Sequence, residues 1–456
     1  MNMSKTVGLI SLGCAKNLVN SEQMLCLLAE AGYTVTDDPG EADALIVNTC
    51  AFIDSAKSEA IDNILECAEL KKTGKLRTLL VAGCLPQRYK EELMAELPEV
   101  DGIIGTGSYD EIVRALELAE AGEKPLILGD LNAPVSEAGR IVSTGPGWAY
   151  LKIAEGCDNR CAFCVIPSIR GRYRSRPMER ILEEARGLAE GGVKELLVVA
   201  QDITRYGMDL YGKPKLAELV RELCRIDGLH WIRLHYLYPD LIDDELIRTV
   251  AEEPKVVKYL DIPIQHINDG ILKRMHRRGS GRELEALIRK LRDRIPGLVI
   301  RTSLITGLPG EGEAEFEQLC AFLRRVRLER AGVFPYSPEE GTPAFLMERP
   351  DTETAERRCD LIEELQSRIM DDFNESRLGT VQEVLAEGYD AAAECWYGRS
   401  CADSPDVDGK VFFTGKDVTP GEFCSVRITE ILDGDLVGEK EPGIPAAERM
   451  QENDDG

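Results

Sequence analysis

The chain has 456 residues and carries 81 acidic against 55 basic side chains, a formal net charge of −26. At roughly 100 to 200 residues per domain, this length implies about three domains. No apolar run approaches the roughly 20 residues of a membrane span and no basic stretch followed by an apolar one opens the chain, so the reading is a cytoplasmic protein with no membrane partner; a charge this negative repels phosphates and disfavours nucleic acid as substrate.

From residue 6 to about 118, short apolar runs at 7–12, 44–47 and 79–82 read as strands, separated by amphipathic segments at 20–31 and 55–70. This predicts an α/β domain with a parallel sheet over residues 1–128. Cys14, Cys50 and Cys84 each stand just past a predicted strand end. Loops that follow parallel strands share one edge of the sheet, so three cysteines distant in sequence converge there, as a cluster with three thiolate ligands requires. The competing reading is three unrelated small residues in turns. Cys26 and Cys67 fall inside predicted helices among apolar neighbours and read as buried filler. Fourteen cysteines in a cytosolic chain point to thiols used for metal or redox work.

Residues 129–147, rich in Pro, Gly, Ser and Ala, read as a linker. A second domain over 148–376 alternates strands at 149–154, 195–200, 231–237, 256–264, 298–305 and 332–336 with helices at 179–189, 215–226, 243–252, 283–294 and 313–326. Six such units predict a partial (β/α)6 barrel. Just after its first strand comes Gly-Cys-Asp-Asn-Arg-Cys-Ala-Phe-Cys, placing Cys157, Cys161 and Cys164 together with no further cysteine until Cys224. Three thiolates hold a 4Fe-4S cluster with one iron left open. A zinc knuckle is the alternative, but structural zinc wants four ligands and no second pair lies nearby. Reactive groups of such barrels gather at the carboxyl ends of the strands, where Cys157, Gln201, Asp202, Gln265, His266 and Gly307 all fall. His230, His235 and His276 lack partner spacing and read as surface or core residues. A long polar helix at 352–375 leads to short strands at 380–386, 409–414 and 423–431, which predict a small antiparallel β-barrel over 377–441, suited to reading a substrate, followed by a disordered acidic tail at 442–456.

The C-x3-C-x-aromatic-C arrangement, with Phe163 in the last spacer, resembles the motif of radical S-adenosylmethionine enzymes. A cysteine-triplet α/β domain, that barrel and a small terminal β-domain, in this order, resemble the methylthiotransferase family across nearly the whole chain. The segments Tyr259-Leu-Asp-Ile-Pro-Ile-Gln-His266 and Val333-Phe-Pro-Tyr-Ser-Pro-Glu-Glu-Gly-Thr342, with the run from Trp396 to Gly409, resemble its ribosomal-protein branch, RimO. The tRNA branch, MiaB, usually carries Gln-Ser-Gly where this chain has Gln265-His266. The terminal segment resembles a TRAM domain, yet between Arg377 and Lys440 six basic residues face thirteen acidic ones, a better match to a basic protein than to tRNA.

The resemblance implies transfer of a methylthio group to the β-carbon of an aspartate in the small-subunit ribosomal protein numbered twelve. It implies two 4Fe-4S clusters, one on Cys14, Cys50 and Cys84 and one on Cys157, Cys161 and Cys164, with S-adenosylmethionine as methyl donor and radical source. It further implies an electron donor such as flavodoxin or ferredoxin, a sulfur source, and cofactor contacts from Phe163, Gln201, Asp202, Arg301, Ser303 and Gly307. Many radical enzymes carry Gly-Gly-Glu where this chain has Ala200-Gln201-Asp202, and Gly312 replaces the Thr of the family's usual Pro-Gly-Glu-Thr. The hydrogen on a β-carbon next to a carboxylate is not one that a His or Glu readily removes, which makes acid–base removal implausible and points to a radical route. The alternatives are a tRNA adenosine methylthiotransferase and a non-catalytic iron–sulfur electron carrier.

Overall fold

The computed structural model describes residues 5–442; most of the expected acidic tail lies outside them. The amino-terminal unit runs β1 (Thr6–Ser11), α1 (Ala15–Glu30), β2 (Thr34–Val35), β3 (Ala44–Thr49), α2 (Asp54–Thr73), β4 (Thr78–Gly83), α3 (Cys84–Glu96), β5 (Gly102–Gly107), α4 (Ile112–Glu120) and β6 (Leu126–Gly129). Its six strands form one parallel sheet in the order β2-β1-β3-β4-β5-β6. Strands β3 and β4 are buried on both faces, which is why their apolar runs are continuous rather than alternating. Three of the six strands were legible as apolar runs. Strand β2 has two residues, β5 has three glycines among six, and β6 has four residues, so none gives a strong β signal. Cys67 is buried as expected, whereas Cys26 is half-buried beside Glu30, with 3.7 Å between Sγ and Oε1.

The segment read as a linker carries no helix or strand between β6 and β7 (Trp148–Lys152), but it is strapped down at both sides. Arg140 pairs with Glu22 of α1 at 2.9 Å and with Glu184 of the second unit at 2.9 Å, and Glu137 accepts from Arg176 at 3.0 Å. Beyond β7 come β8 (Ala154–Glu155), α5 (Ile166–Arg170), β9 (Arg174–Ser175), α6 (Met178–Glu190), β10 (Glu195–Val199), α7 (Met208–Tyr211), α8 (Leu216–Cys224), β11 (Trp231–Leu234), α9 (Asp244–Glu252), β12 (Val256–Asp261), α10 (Asp269–Arg274), α11 (Gly281–Arg294), β13 (Val299–Thr306), α12 (Glu313–Val326), β14 (Arg330–Pro335) and α13 (Thr352–Glu375). Six parallel strands in the order β14-β13-β12-β11-β10-β7 make an open barrel. Side-chain caps start the helices where the chain must turn: Asp243 on α9, Asn268 on α10, a Ser280–Glu283 capping box on α11 and Asp351 on α13. Among the described residues no helix is long and apolar enough to cross a membrane.

The carboxyl-terminal unit closes five strands, β15 (Val381–Asp390), β16 (Cys395–Ser400), β17 (Val411–Thr414), β18 (Phe423–Leu432) and β19 (Asp435–Lys440), into a barrel ordered β15-β16-β17-β19-β18. Strands β16 and β19 escape the sequence reading because each is short, contains a glycine and mixes charged with apolar residues. One face of the open barrel packs on the helices; the other joins Tyr150, Leu197, Val199, Trp231 and Tyr259 to Val19 of α1 and to Leu385 and Ala402 of the terminal unit. The loop after β16 therefore enters the open barrel from the end where its strands begin. Glu195, the first residue of β10 and wholly buried, bonds Arg233 and Arg399 at 2.8 Å each. Deeper in, Asp408 accepts from the Tyr259 hydroxyl at 2.6 Å, and Ser404 shares a 3.0 Å hydrogen bond with His235.

Asp403 is the densest point of this joint, 2.7 Å from Arg330 and 3.3 Å from Arg377. Burial opposes its charge, but the two guanidiniums outweigh burial and hold its carboxyl well below the usual range. A depressed folded pKa gives stability that is complete above the unfolded value of about 4 and is lost as pH falls below it. Asp403→Asn should cost about 3 kcal/mol at neutral pH, because it leaves buried guanidiniums uncompensated. Urea denaturation of both forms should give a constant difference above pH 5 that narrows below pH 4; a difference that stayed constant at lower pH would refute this account of the joint.

Candidate active site

Cys14 caps the start of α1, Cys50 follows β3 and Cys84 opens α3, so all three stand at the carboxyl edge of the first sheet. What brings them close is backbone that only glycine tolerates. Gly13 has φ +90, and a Cβ there would lie 2.6 Å from the Cβ of Cys50; Gly83 has φ +100, and a Cβ would lie 2.5 Å from the carbonyl oxygen of Thr49. Side-chain bonds then lock the loops together. Asn17 donates to the carbonyl of Leu12 at 2.7 Å and to those of Asn48 and Thr49 at 3.3 Å, while the Thr49 hydroxyl donates to the Ala82 carbonyl at 2.7 Å.

Electrostatics differs among the three thiols. Burial pushes Cys50 up to about 12, with Cys84 and Cys14 adding to the effect. Burial also raises Cys84, against the pull of Arg170. Cys14 goes the other way: burial works against its thiolate, but Lys16 and Arg170 outweigh it. Lys16 is itself buried, with its ammonium 3.4 Å from the ring centre of Tyr236, two residues past β11.

Cys157, Cys161 and Cys164 lie in the loop after β8, all half-buried, and Phe163 and Ala162 anchor that loop in an apolar cluster with Ile271, Met275, Leu308 and Tyr336. Burial raises Cys157 to about 11, with Asp202 and Cys161 adding to the effect, and also raises Cys164, with Cys161 and Cys157 contributing. Arg170, the last residue of α5, ties the first triplet to the strand that leads into the second. The residue is 2% exposed, and its guanidinium lies 3.4 Å from the Cys84 thiol, 2.9 Å from Asn17, 3.0 Å from Asn20 and 3.3 Å from Glu155, two residues before Cys157. Sequence reading missed Arg170, Lys16 and Glu155. The only signal was position, since charged residues beside ligand cysteines are outwardly indistinguishable from surface ones.

The implied cofactor contacts are placed as follows. Gln201 donates to Glu155 at 2.8 Å, and its own oxygen is buried without a partner. Asp202 accepts from Asn159 at 2.7 Å and pairs with Arg205 at 3.2 Å. Arg301 pairs with Asp261 at 3.1 Å and approaches Asp408, which ties it into the joint with the terminal unit. Ser303 follows two residues later on β13, half-buried, and the Gly307 amide donates to Glu311 at 2.9 Å. His266 is fully buried and lies 3.3 Å from Glu311, which in turn holds Arg358 at 2.9 Å. His230 packs at the surface on Phe423, His235 is core and His276 is exposed.

Among the described residues, no three His, Cys, Asp or Glu side chains close on a single point as the ligands of one ion do. A cubane cluster asks for a different arrangement, because each thiolate takes a different iron. Two sets of three sulfur donors, each half-buried or buried beside cations that offset anionic charge, fit two such clusters. Buried polar atoms without partners also gather near the second set: the Gln201 carbonyl oxygen, the Tyr173 and Tyr238 hydroxyls and Arg205 Nη2. A polar, charged ligand such as S-adenosylmethionine would satisfy them.

Models of three families match the chain: an uncharacterized protein family, UPF0004, over residues 6–105, the radical SAM superfamily over 151–323 and the TRAM domain over 378–440. Among solved structures, the radical S-adenosylmethionine methyltransferase TsrM from Kitasatospora setae superposes with a TM-score of 0.57 at 15% identity, covering 75% of this chain and 74% of that one. The cobalamin-dependent radical enzyme OxsB superposes at 0.51 and 14% identity, over 82% of this chain and 56% of that one. Both show the fold. Ribosomal protein uS12 methylthiotransferases RimO are far more similar: that of Lachnoclostridium phytofermentans is 50% identical over 95% of this chain and 99% of its own, that of Acetivibrio thermocellus 50% over 96% and 98%, and that of Geobacter sulfurreducens 49% over 96% and 99%. The chain belongs to the family of ribosomal protein uS12 methylthiotransferases, RimO.

Proposed function

We infer that this enzyme attaches a methylthio group to the β-carbon of an aspartate in ribosomal protein uS12, using two 4Fe-4S clusters and S-adenosylmethionine. The observation that carries the two-cluster reading is Arg170, buried against the Cys84 thiol on one side and against Glu155, two residues before Cys157, on the other. When bound, the clusters and S-adenosylmethionine supply the radical that removes hydrogen from an unactivated carbon and the methylthio group that replaces it.

The chain's own residues bind and orient. Cys14, Cys50 and Cys84 would hold one cluster, and Cys157, Cys161 and Cys164 the other, each giving up its thiol proton on ligation. Lys16 and Arg170 offset the negative charge so collected, and Glu155, held down to about 2 by Lys152 and Arg170 in spite of its burial, stays ionised and fixes Arg170 in turn. Gln201, Asp202 and Gly307 follow the ends of strands of the open barrel, Ser303 lies on β13, and with Phe163 and Arg301 they are the proposed cofactor contacts. A single substrate atom must be reached from both clusters, and joining the two α/β units rigidly is the positioning advantage such chemistry needs.

The terminal barrel supplies charge. Asp403, Asp408, Glu387, Arg377 and Arg399 are engaged at the joint. The ten acidic and four basic residues that remain between 377 and 440 give its outer surface a negative field. Such a field steers a basic ribosomal protein and repels tRNA. The setting is the cytoplasm, with a low-potential donor such as flavodoxin or ferredoxin and an external sulfur source.

Two outcomes test this reading. Mass spectrometry of small-subunit ribosomal proteins and of tRNA from cells with and without the gene should show loss of about 46 Da, the methylthio increment, on uS12 alone; loss on tRNA instead would move the enzyme to the other branch. Replacing any one of the six cysteines by Ala should remove about half of the bound iron, read by iron analysis of anaerobically purified protein. Retention of all the iron would remove that cysteine from the ligand set.

A further inference from the structure

Against the acidity of the whole chain, residues 270–282 hold five Lys or Arg and no Asp or Glu. Lys273, Arg274, Arg278 and Arg282 are exposed on α10, the turn after it and the start of α11. Arg278 is held by Asp240 at 3.0 Å. Lys273, Arg274 and Arg282 form no ion pair or side-chain hydrogen bond among the described residues. Three unpaired cations therefore stand on one short segment, Lys273 and Arg274 together at the end of α10 and Arg282 at the start of α11.

Their position is the second observation. The amide of Ala162, between Cys161 and Cys164, donates to the carbonyl of Met275 at 3.0 Å. Ile271 and Met275 pack in one apolar cluster with Ala162 and Phe163, and Arg277 Nη1 lies 3.8 Å from the Cys161 sulfur. The segment that carries the free cations thus packs directly against the Cys157–Cys164 loop.

Building on the assignment of Cys157, Cys161 and Cys164 as cluster ligands, we propose that the face of Lys273, Arg274 and Arg282 is the docking surface for an acidic, low-potential, one-electron carrier protein. The transfer moves one electron from the reduced carrier, which is oxidised by one unit, to the cluster, which is reduced by one; no bond forms or breaks and no proton moves. The net charge of the chain does not prevent the encounter, because fields beyond about 8 Å are screened at physiological salt and the local patch decides. Electron-transfer complexes are small and transient, so a few complementary charges suffice. Ribosomal RNA is the less suitable partner, since holding RNA takes many phosphate contacts against this chain's overall charge.

The test compares the cluster-loaded enzyme with its Lys273→Glu/Arg274→Glu form, using flavodoxin kept reduced by its NADPH-dependent reductase. Affinity for flavodoxin, measured by titration calorimetry, should fall about tenfold or more and lose most of its salt dependence. Flavodoxin-driven formation of 5′-deoxyadenosine should fall with it, while dithionite-driven formation and iron content stay unchanged. Unchanged affinity and unchanged flavodoxin-driven rate would overturn the proposal. An equal loss with dithionite, iron being retained, would assign the patch to the substrate's path and overturn it too. If the double variant loses iron, Arg282→Glu on α11 gives the same comparison away from the Ala162 contact. A wild-type enzyme that forms no 5′-deoxyadenosine even with dithionite would remove the cluster assignment, and the docking surface with it.

Discussion

Arg170 brings a permanent positive charge to a place that water does not reach, and such a charge is costly unless every donor finds an acceptor and a counter-charge lies nearby. Here the acceptors are Asn17 and Asn20 on α1, Glu155 from the open barrel and the Cys84 thiol. Satisfying one guanidinium therefore requires the first sheet and the barrel to meet in a single orientation. The Cys84 loop is fixed relative to Glu155, and Glu155 stands two residues from Cys157. Any sliding between the units would leave the guanidinium unpaired, so the desolvation penalty that makes the contact expensive also makes the geometry specific.

The other end of the open barrel uses the same device. Glu195, Arg233, Arg399, Asp403, Arg330 and Arg377 form buried pairs where the strands begin, and the loop that carries Asp403 and Asp408 fills the interior up to Tyr259 and His235. A six-stranded parallel sheet that does not close leaves its inner face needing cover. The terminal barrel supplies it from below and α1 supplies it from the side, through Val19 packed with Tyr150 and Tyr259. What stays uncovered by these two is the carboxyl end of the barrel's strands, where Cys157, Cys161 and Cys164 stand.

The parts of this arrangement legible in sequence were those that repeat or alternate. Continuous apolar runs marked the long strands, the tight cysteine spacing marked one set of thiols, and the recurrence of Cys14, Cys50 and Cys84 after strands marked the other. Strands of two to four residues and the glycine-bearing β5 carried too little β signal to stand out. Arg170, Lys16 and Asp403 were illegible for a different reason. Their importance comes from burial, and a charged residue is ordinarily solvated, so only the tertiary structure separates these three from the many exposed charges around them. The acidic composition of the terminal unit was read as a surface property, and for Asp403 and Asp408 that reading fails because those carboxylates face inward.

The same accounting explains what the mouth of the barrel lacks. A general base must be free to take a proton near neutral pH. Glu155 is held down to about 2 by Lys152 and Arg170. Asp202 is taken up by Asn159, Thr204 and Arg205, and burial with nearby arginines pushes His235 well below the usual imidazole range. His266 faces Glu311, whose carboxylate is already shared with Arg358 and the Gly307 amide. The titratable groups around the thiols are engaged in holding one another. Such a site suits a reaction whose reactive groups arrive with bound cofactors, leaving the protein to fix where they sit and to offset their charge.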